Sequence, residues 1–452
     1  MNKILILLAI LSFLGCSFAP KHITPEIKLP TVEDNRRVSD FDSKWWKRYN
    51  DKNLETLIDE ALKNNDDIQI AVRRVLEYGA IFNLSERELF PRIDSKGGIL
   101  RGKNSENIPP YYSATENQFS LSMGISYEID FWGKLKNQKL AYYSNLLGEK
   151  YASKIVTQTV VFEVIRNYLQ IAAINQQKFY VQSILDNLKE TSTLRKIQYK
   201  HGIISDIVLE QTDAQINELL LNMELLEKSK KLTENNLSYI LGKEPQEIFT
   251  FSTDNFNTLN TISVPKFIPS EVLLQRPDIK RAEEILKAAN FQIGVAKAQY
   301  FPNISLTGNL GFQSSDLSNL FSSGSDFWNI GGTLTAPIFN FGRISANVRI
   351  AEERQKQALL NYVKTVKNAF REIHDILINL DSIQKSISLK EKQIENYKRI
   401  YENASKKYER GLLDYINVID ANRQILLSEQ SMVELKKEFA TYQAQFFKAL
   451  GY

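Results

Sequence analysis

The two halves of this chain repeat one another, and this duplication constrains the fold more than any other feature. Matching residues lie 211 positions apart near the start of each half and 209 positions apart further on. At the offset of 211, Asp67-Ile68 matches Asp278-Ile279, and Phe90-Pro91 matches Phe301-Pro302. At the offset of 209, the matching residues of the first half are Gly133, Tyr199, Gly202, Gln215 and Leu241-Gly242. Their counterparts, in the same order, are Gly342, Tyr408, Gly411, Gln424 and Leu450-Gly451. Each half is therefore predicted to contain a medium helix, a β-hairpin and two longer helices. We place the first repeat at 53–242, a linking segment at 243–270 and the second repeat at 271–452.

The longest helices are predicted from the absence of helix breakers. Residues 343–410 contain neither Gly nor Pro, and a continuous helix of this size would be about 100 Å long, which exceeds an ordinary globular core. Its apolar residues step by three and four, as in a coiled-coil seam: Val363, Val366, Phe370, Ile373, Leu377, Leu380 and Ile387. The first half repeats the apolar spacing of this helix over 134–201. Shorter uninterrupted segments, 205–241 and 414–450, follow each long one, so the class is predicted to be mainly α with antiparallel coiled-coil helices.

Each long helix is predicted to double back at a short turn. The two turns are Gly202, Ile203, Ile204 and Ser205 in the first half and Gly411, Leu412, Leu413 and Asp414 in the second. Glycine suits the left-handed position that ends a helix, and Ser or Asp can cap the start of the next one.

The hairpins, placed at 92–129 and 303–338, alternate apolar with small or polar residues. In one strand the apolar or aromatic residues are Phe119, Leu121, Met123, Ile125 and Tyr127, and they alternate with Ser120, Ser122, Gly124, Ser126 and Glu128. The other strands show the same kind of alternation. Strands of about ten residues with one apolar face are typical of an outer-membrane β-barrel. A soluble sandwich is the alternative, but it rarely sits between helices of such length. Four strands cannot close a barrel, since about eight are needed, so copies of the chain are predicted to pool their strands.

The N-terminus indicates secretion and a lipid anchor. The apolar run 4–13 is shorter than the roughly 20 residues of a membrane-spanning helix, which favours a signal peptide at 1–15. Leu14-Gly15 precedes Cys16, the sole cysteine, and resembles a bacterial lipobox. Cys16 is therefore predicted to carry lipid and to begin an anchored arm, 16–52; an incidental cysteine is the alternative. Ser17 after it favours delivery to the outer membrane.

Composition argues against several functions. The chain has 57 Lys and Arg against 53 Asp and Glu, a balance that disfavours nucleic-acid binding. One Cys and three scattered His disfavour a disulfide framework, a metal centre and redox cofactors. Motifs for phosphate loops, metalloproteases and serine or cysteine nucleophiles are missing from the sequence, so no enzyme activity and no cofactor are expected.

Several motifs together resemble the TolC family of outer-membrane efflux channels, in its lipoprotein branch. They are the Cys16 to Pro30 leader, Tyr127-Glu128-Ile129-Asp130-Phe131-Trp132-Gly133-Lys134, Gln275-Arg276-Pro277-Asp278-Ile279, Gly294-Val295-Ala296-Lys297-Ala298 with Phe301-Pro302, Ala336-Pro337-Ile338-Phe339 with Gly342-Arg343, and Asp420-Ala421-Asn422-Arg423. The resemblance implies a homotrimer with a twelve-stranded barrel and a helical tunnel in the periplasm of a Gram-negative bacterium. It also implies a periplasmic adaptor protein and an inner-membrane pump as partners.

A candidate gate follows the second turn. Ile416, Asp420 and Arg423 lie at spacings of four and three, on one face of the last helix, whereas the first repeat has Ile207, Gln211 and Ala214 there. Spacing alone allows a solvated Asp–Arg pair. The resemblance implies that Asp420 forms a constriction ring, Arg423 restrains it and Ile416 is an apolar plug, and that the adaptor engages the two turns.

The predicted function is passive export of drugs or other small toxic compounds by a resistance-nodulation-division tripartite pump. A duct requires both the long helices and the alternating strands. A structural, tethering coiled-coil lipoprotein requires only the helices, and remains an alternative. Metal ions or proteins are alternative cargoes.

Overall fold

The computed structural model describes residues 18–20, 44–103, 105, 107, 115–244, 264 and 273–452. The chain forms two compact units. The first combines Arg73–Tyr151 with Lys280–Lys364 and the described residues of Met1–Ile27; the second combines Ala152–Ile279 with Thr365–Tyr452 and the described residues of Lys28–Val72. Each unit therefore draws on both halves of the sequence.

The described residues form seven α-helices and four β-strands. In chain order these are α1 (Lys52–Asn64), α2 (Asp66–Arg87), β1 (Arg92–Lys103), β2 (Thr115–Ile129), α3 (Lys134–Lys200), α4 (Asp206–Ile240), α5 (Pro277–Ala298), β3 (Asn303–Ser314), β4 (Asp326–Thr335), α6 (Arg343–Glu409) and α7 (Tyr415–Leu450). Single 3₁₀ turns occur at Trp45–Tyr49 and Leu317–Asn319. The prediction of long helices with four strands in one chain is confirmed. No helix in the described ranges is both long and apolar enough to cross a membrane.

The four strands make one antiparallel sheet in the order β1-β2-β3-β4. Arg92 on β1 lies opposite Ser126, and Asn303 on β3 lies opposite Thr335. The second pair is the first one moved by 211 and 209 residues, the two offsets of the duplication. The two hairpins therefore share one register.

The sheet has an apolar face and a polar face, because residues directly opposite each other on paired strands share a face. Met123, Leu310 and Trp328 form one such row, and all three are exposed in the single chain. The neighbouring row holds Gly124, Asn309 and Asn329. In it the Asn309 Nδ2 donates a hydrogen bond of 3.1 Å to the Asn329 Oδ1. The alternation seen in the sequence thus separates the two faces as predicted.

The last strand is shorter than predicted. It ends at Thr335, whereas the alternation of Ala336 and Ile338 had extended the hairpin to residue 338. Pro337 has no N–H with which to continue the hydrogen bonds between strands. The alternation of residue types therefore extends beyond the last paired residue of the strand. Between β3 and β4 the connecting segment runs over 315–325 and contains the 3₁₀ turn Leu317–Asn319.

The medium helix of the first half is two helices, which corrects the single helix predicted there. Asn65 separates α1 from α2 with extended backbone, φ −61° and ψ 128°. Its Oδ1 accepts a hydrogen bond from the Ile68 amide at 3.1 Å, which caps α2, and its Nδ2 donates to the Ile240 carbonyl at 2.8 Å. The side chain of Asn65 therefore stabilises the break.

The second unit has an aromatic core near the end of α7. The ring of Trp45 stacks on that of Phe447 at 4.7 Å between centroids, and both are buried. Arg276 is also buried, and it donates from Nη1 to the Ala449 carbonyl at 2.5 Å and from Nη2 to Glu372 at 2.9 Å. Burial lowers the pKa of Arg276, but the carboxylates of Asp278 and Glu372 outweigh that effect and raise it. This ion cluster holds the end of the last helix.

Candidate closure site at the helix turns

The turn between α3 and α4 is a Schellman motif. Gly202 adopts the left-handed conformation, with φ 69°. Its amide donates to the Tyr199 carbonyl at 2.9 Å, and the Ile203 amide donates to the Gln198 carbonyl at 2.9 Å. These two bonds satisfy carbonyls that the end of a helix leaves open. The left-handed glycine predicted from the sequence is therefore present.

The turn between α6 and α7 has the same construction. Gly411 has φ 71°, its amide donates to the Tyr408 carbonyl at 2.8 Å, and the Leu412 amide donates to the Lys407 carbonyl at 2.9 Å. In a typical Schellman motif the residue after the glycine packs back onto its helix. Here Leu412 is 71% exposed and Ile203 at the equivalent position is 68% exposed. Each turn therefore presents one aliphatic side chain outward.

Capping by side chains, which the sequence suggested at Ser205 and Asp414, is corrected by the structure. Both residues occupy the position before a helix, but within the described part of the chain neither side chain accepts a hydrogen bond from the helix backbone. Their carbonyls serve instead: that of Ser205 accepts from the Val208 amide at 3.3 Å, and that of Asp414 accepts from the Asn417 amide at 3.1 Å. The residue types at positions 205 and 414 therefore predicted correctly where the two helices begin, but the predicted capping by their side chains is wrong.

The predicted stripe on α7 is on the exposed side of that helix. Ile416 is 47% exposed, and the Arg423 Nη2 lies 3.5 Å from the Asp420 Oδ1, with both side chains at least half exposed. The opposite side of α7 is buried through Tyr415 and Val418. The structure thus brings the three predicted residues together on one face. At this exposure the ion pair itself contributes at most a few tenths of a kcal/mol.

The equivalent face of α4 carries no charge at the three matching positions. Ile207 is exposed, Gln211 is half-buried and Ala214 is exposed. The two helical hairpins therefore have turns of the same construction, but they differ in charge on the helix that follows each turn.

A cationic contact between the hairpins was missed by the sequence reasoning. The guanidinium of Arg195 on α3 lies over the rings of Tyr408 and Tyr415, 4.6 and 4.3 Å from their centroids. Its Nη1 also donates to the Tyr408 hydroxyl, and to the Gln198 Oε1 at 3.0 Å. The two tyrosine rings are 5.2 Å apart. Arg195 thus joins a helix of the first half to both helices of the second.

One signal in the sequence could have revealed this contact. Position 404, which is 209 residues after Arg195, holds an alanine that is buried. A long charged side chain in one repeat, where the other repeat buries a methyl group, indicates a place where the two hairpins are packed differently.

Tyr415 is perturbed by this cluster. Burial raises the pKa of its hydroxyl, while Arg195 and a hydrogen bond with Thr212 oppose the rise. Thr212 is itself fully buried on α4. Tyr415 therefore contacts the first hairpin on both of its helices and remains neutral at physiological pH.

The predicted lipid attachment point, Cys16, lies outside the described residues. Phe18, two positions later, is described, and its ring stacks on Phe301 at 4.7 Å between centroids and on Trp132 at 6.4 Å. The Trp132 Nε1 donates to the Pro302 carbonyl at 2.8 Å. Phe18 is therefore held at the point where β2 ends and β3 begins.

A four-stranded sheet with an apolar and a polar face, joined to helices of 67 residues, defines an outer-membrane channel protein. The chain belongs to the outer membrane efflux protein family, whose model matches residues 57–243 and 268–452. The family resemblance inferred from the motifs is thereby confirmed, and members of the family are efflux channels of the outer membrane.

Relatives match the chain from end to end. The cation efflux system protein CusC of Escherichia coli strain K12 is 32% identical over 464 aligned residues, which cover 99% of each chain. The probable outer membrane lipoprotein SilC of Salmonella typhimurium is 30% identical, over 99% of this chain and 98% of its own. The crystal structure of the Campylobacter jejuni CmeC outer membrane channel superposes with a TM-score of 0.87 at 27% identity, covering 96% of this chain and 95% of that one.

Proposed function

We propose that three copies of this chain form a passive duct through the outer membrane of a Gram-negative bacterium, as the outlet of a tripartite efflux system. Each copy contributes four strands to a twelve-stranded barrel, and the helices form a tunnel in the periplasm. The duct works with a periplasmic adaptor and an inner-membrane pump, which supplies the energy. The chain itself performs no chemistry in this scheme.

The observation that carries this proposal is the unfinished sheet. In the described ranges, β1 and β4 each pair with one strand and leave one edge open. The apolar side chains of the sheet are exposed in the single chain. Unpaired backbone at an edge cannot be left in lipid, so the sheet must close with strands from other copies.

Mass measurement and conductance together test the duct. Detergent-purified protein is expected to have the mass of a trimer and to give discrete conductance steps in a planar lipid bilayer. A monomer of native helicity would contradict the trimer. A trimer without conductance, at any voltage or salt concentration, would favour the tethering lipoprotein instead.

The exposed stripe on α7 is proposed to close the duct. Around a threefold axis, Ile416, Asp420 and Arg423 each become a ring of three, and three carboxylates in a narrow mouth attract cations. The exposure of these side chains supports this role, because a ring around the axis requires side chains that the chain's own core does not bury.

The two turns are proposed to receive the adaptor. The adaptor-contact residues are Gly202, Ile203, Ile204, Ser205, Gly411, Leu412, Leu413 and Asp414. The outward aliphatic side chains of Ile203 and Leu412 support this assignment, since an apolar partner surface would cover them. Replacing both with serine is expected to weaken adaptor cross-linking in cells while conductance of the purified channel stays unchanged.

Cys16 is proposed to be acylated, which would anchor the chain in outer-membrane lipid. The stacking of Phe18 against Trp132 and Phe301 supports this, because Phe18 follows Cys16 by two residues and lies next to the ends of strands that would enter the membrane. The relative SilC is also described as a probable lipoprotein.

Drugs or other small toxic compounds are the proposed cargo, and metal cations are a second candidate. The similarity to CusC, a cation efflux system protein, favours the second candidate. The two are separated by deleting the gene and measuring growth inhibition. Sensitivity to metal cations alone would indicate cations as the cargo, whereas sensitivity to dyes and antibiotics would indicate drugs.

A further inference from the structure

The loop between β3 and β4, residues 315–325, folds back onto the apolar face of the sheet. The ring of Phe321 in this loop lies 5.4 Å from the ring of Phe312, measured between centroids, in an edge-to-face arrangement. Phe312 is on the same face of β3 as Leu310, which precedes it by two residues and belongs to the apolar row described above. The loop is therefore attached to the apolar face of the sheet.

Two apolar side chains of this loop are exposed. Leu317 is 63% exposed and Phe321 is 67% exposed, whereas Leu320 is buried. The other residues of 315–325 are Ser, Asn, Asp and Gly. Leu317 and Phe321 therefore form the apolar surface that the loop presents to its surroundings, and exposed apolar surface of this kind marks a place of contact.

Hydrogen bonds within the loop stabilise its conformation. The Asn319 carbonyl accepts from the Ser322 amide at 3.0 Å, from the Ser322 hydroxyl at 2.7 Å and from the Ser325 hydroxyl at 2.8 Å. The Ser325 carbonyl accepts from the Gln313 amide at 2.8 Å, which continues the pairing of β3 with β4 by one position. The two apolar side chains are thus presented by a backbone that is itself hydrogen-bonded.

The loop lies at the level where the apolar face of the sheet ends. Asp326 is opposite Phe312 on this face, and its side chain is exposed. A carboxylate avoids hydrocarbon, whereas aromatic rings are enriched at the boundary between lipid and water, where barrels carry a girdle of them. The row of Phe312 and Asp326 therefore marks this boundary, and Phe321 lies beside it.

We propose that the loop 315–325 rests on the outer leaflet of the outer membrane, with Leu317 and Phe321 inserted among the lipids. This inference rests on the proposed duct, whose barrel turns the apolar face of each sheet toward lipid. Lipid then covers the apolar face of the sheet and the apolar surface of the loop without interruption. A loop held at the rim in this way leaves the outer mouth of the duct uncovered.

The charges near the loop favour apolar insertion over recognition of a charged group. Residues 313–328 contain no Lys, Arg or His, and their two charged residues are Asp316 and Asp326. Such a segment offers no cationic side chain to a phosphate or a carboxylate. Its binding to a membrane therefore depends on the apolar area that it buries.

Spin labels at single positions test the contact with lipid. Full-length trimers with Leu317→Cys or with Phe321→Cys are labelled with a nitroxide and reconstituted into phosphatidylcholine vesicles. Each label reports on the loop while the other apolar residue stays in place. Collision of the label with oxygen, which concentrates in lipid, is compared with collision with a nickel chelate, which stays in water. Wild type, which keeps Cys16, is the blank.

Two exposed serines of the same loop provide matched controls, as Ser318→Cys and Ser323→Cys. The ratio of oxygen to nickel collisions is expected to be about threefold higher, or more, for the labels at the two apolar positions than for those at the two serines. Equal ratios at all four positions would overturn the contact with lipid. Labels at the apolar positions that are shielded from both reagents would indicate a protein partner, and would overturn it as well.

A double replacement tests whether the apolar side chains hold the loop at the rim. Leu317→Ser with Phe321→Ser is combined with Ser323→Cys, and the distances between the labels of the three copies are measured by double electron–electron resonance. Without the apolar contacts the loop can swing over the mouth of the duct. The distances are therefore expected to become shorter and more broadly distributed than in Ser323→Cys alone. An unchanged distribution would contradict the proposed role of the two residues.

Conductance of the same preparations separates this inference from the proposed duct. Discrete conductance steps together with water-exposed labels would overturn the contact with lipid and leave the duct standing. Labels that favour oxygen in a preparation without conductance would overturn the duct and leave the contact of the loop with lipid standing.

Discussion

The guanidinium carbon of Arg195 lies 4.3 Å from the ring centroid of Tyr415, so a cation of the first repeat is held against an aromatic ring of the second. The same cation lies 4.6 Å from the ring of Tyr408. These contacts join three helices next to the two turns, at the level where the proposed gate begins.

Replacing Arg195 with methionine is therefore expected to loosen the turns. Half-buried cation–π contacts contribute about 1 to 2 kcal/mol, and methionine keeps much of the side-chain volume. Amide hydrogen exchange around residues 198–208 and 407–416 is expected to become about tenfold faster. Arg371→Met, which removes an exposed arginine paired with Asp375 on α6, is the control and should leave exchange at the turns unchanged. Equal effects from the two variants would contradict a clamp at Arg195.

Removing the charged stripe is expected to open the proposed gate. Asp420→Ala with Arg423→Ala should raise single-channel conductance and weaken block by multivalent cations, because the ring of carboxylates is lost, with trimer yield unchanged. The matched control is Arg371→Ala with Asp375→Ala, another exposed Arg–Asp pair on a long helix. Wild-type conductance and wild-type cation block in the stripe variant would remove the gate from these residues.

Two glycines with nearly the same backbone are expected to differ in tolerance. Gly411 and Gly242 have φ 71° and 69°, but a Cβ at Gly411 meets nothing within 4 Å, whereas one at Gly242 would lie 2.6 Å from the Asn64 carbonyl oxygen. Gly411→Ala should cost about 1 kcal/mol, from backbone strain alone. Gly242→Ala should cost several times more, since backbone must move. Equal decreases in the thermal midpoints of the two variants would show that backbone strain alone determines the loss of stability in both.

Stability in acid is expected to depend on Lys178 and Glu227, which pair between α3 and α4 at 2.5 Å. The hydrogen bond from Lys178 holds the pKa of Glu227 below its usual value. A lowered carboxyl pKa in the folded state stabilises the protein above the unfolded pKa of about 4.3 and loses that effect as the pH falls through the folded value. Lys178→Met should therefore lower the free energy of unfolding at pH 7 by about 1 kcal/mol or less, and by a smaller amount at pH 3, which lies below the unfolded pKa. The thermal midpoint measured at each pH reports the difference.

The control for this pH dependence is Lys385→Met, which removes an exposed i,i+4 partner of Asp381 on α6. It is expected to change the midpoint less than Lys178→Met does at pH 7. A loss of stability in Lys178→Met that is the same at pH 3 and pH 7 would mean that packing of the lysine stem, and not its charge, is responsible.

Cys16→Ser is expected to abolish labelling by radioactive palmitate, because the thiol that would carry lipid is removed. Ser17→Ala is the control and should label normally. Palmitate that persists in the serine variant would contradict lipidation at Cys16. Trimer assembly is expected to survive, since strand pairing does not involve the anchor.

The sequence predicted the long helices closely because their ends carry strong local signals. Residues 343–410 were predicted and Arg343–Glu409 are helical, and the run ends at a glycine whose left-handed backbone no other residue type adopts so readily. The alternation of apolar and polar residues along the strands was equally informative, because its period of two assigns every residue to one face of the sheet.

Other features depend on contacts that local patterns do not contain. The break at Asn65 is stabilised by its hydrogen bond to Ile240, which is 175 residues away. The clamp at Arg195 joins residues 213 positions apart. Periodicity describes which face of an element is apolar, but it does not say which distant side chain that face meets.

The interleaving of the two halves affects the order in which the protein can fold. The first compact unit requires residues as far as Lys364, and the second requires residues as far as Tyr452. At about 5 to 20 residues per second, ribosomes need roughly 10 to 40 seconds to synthesise the second half after the first. The first unit lacks some of its parts until Lys364 has been synthesised, and the second unit lacks some until Tyr452, so neither unit can complete its tertiary structure while only the first half has been made. A secreted protein benefits from this delay, because translocation requires an unfolded chain.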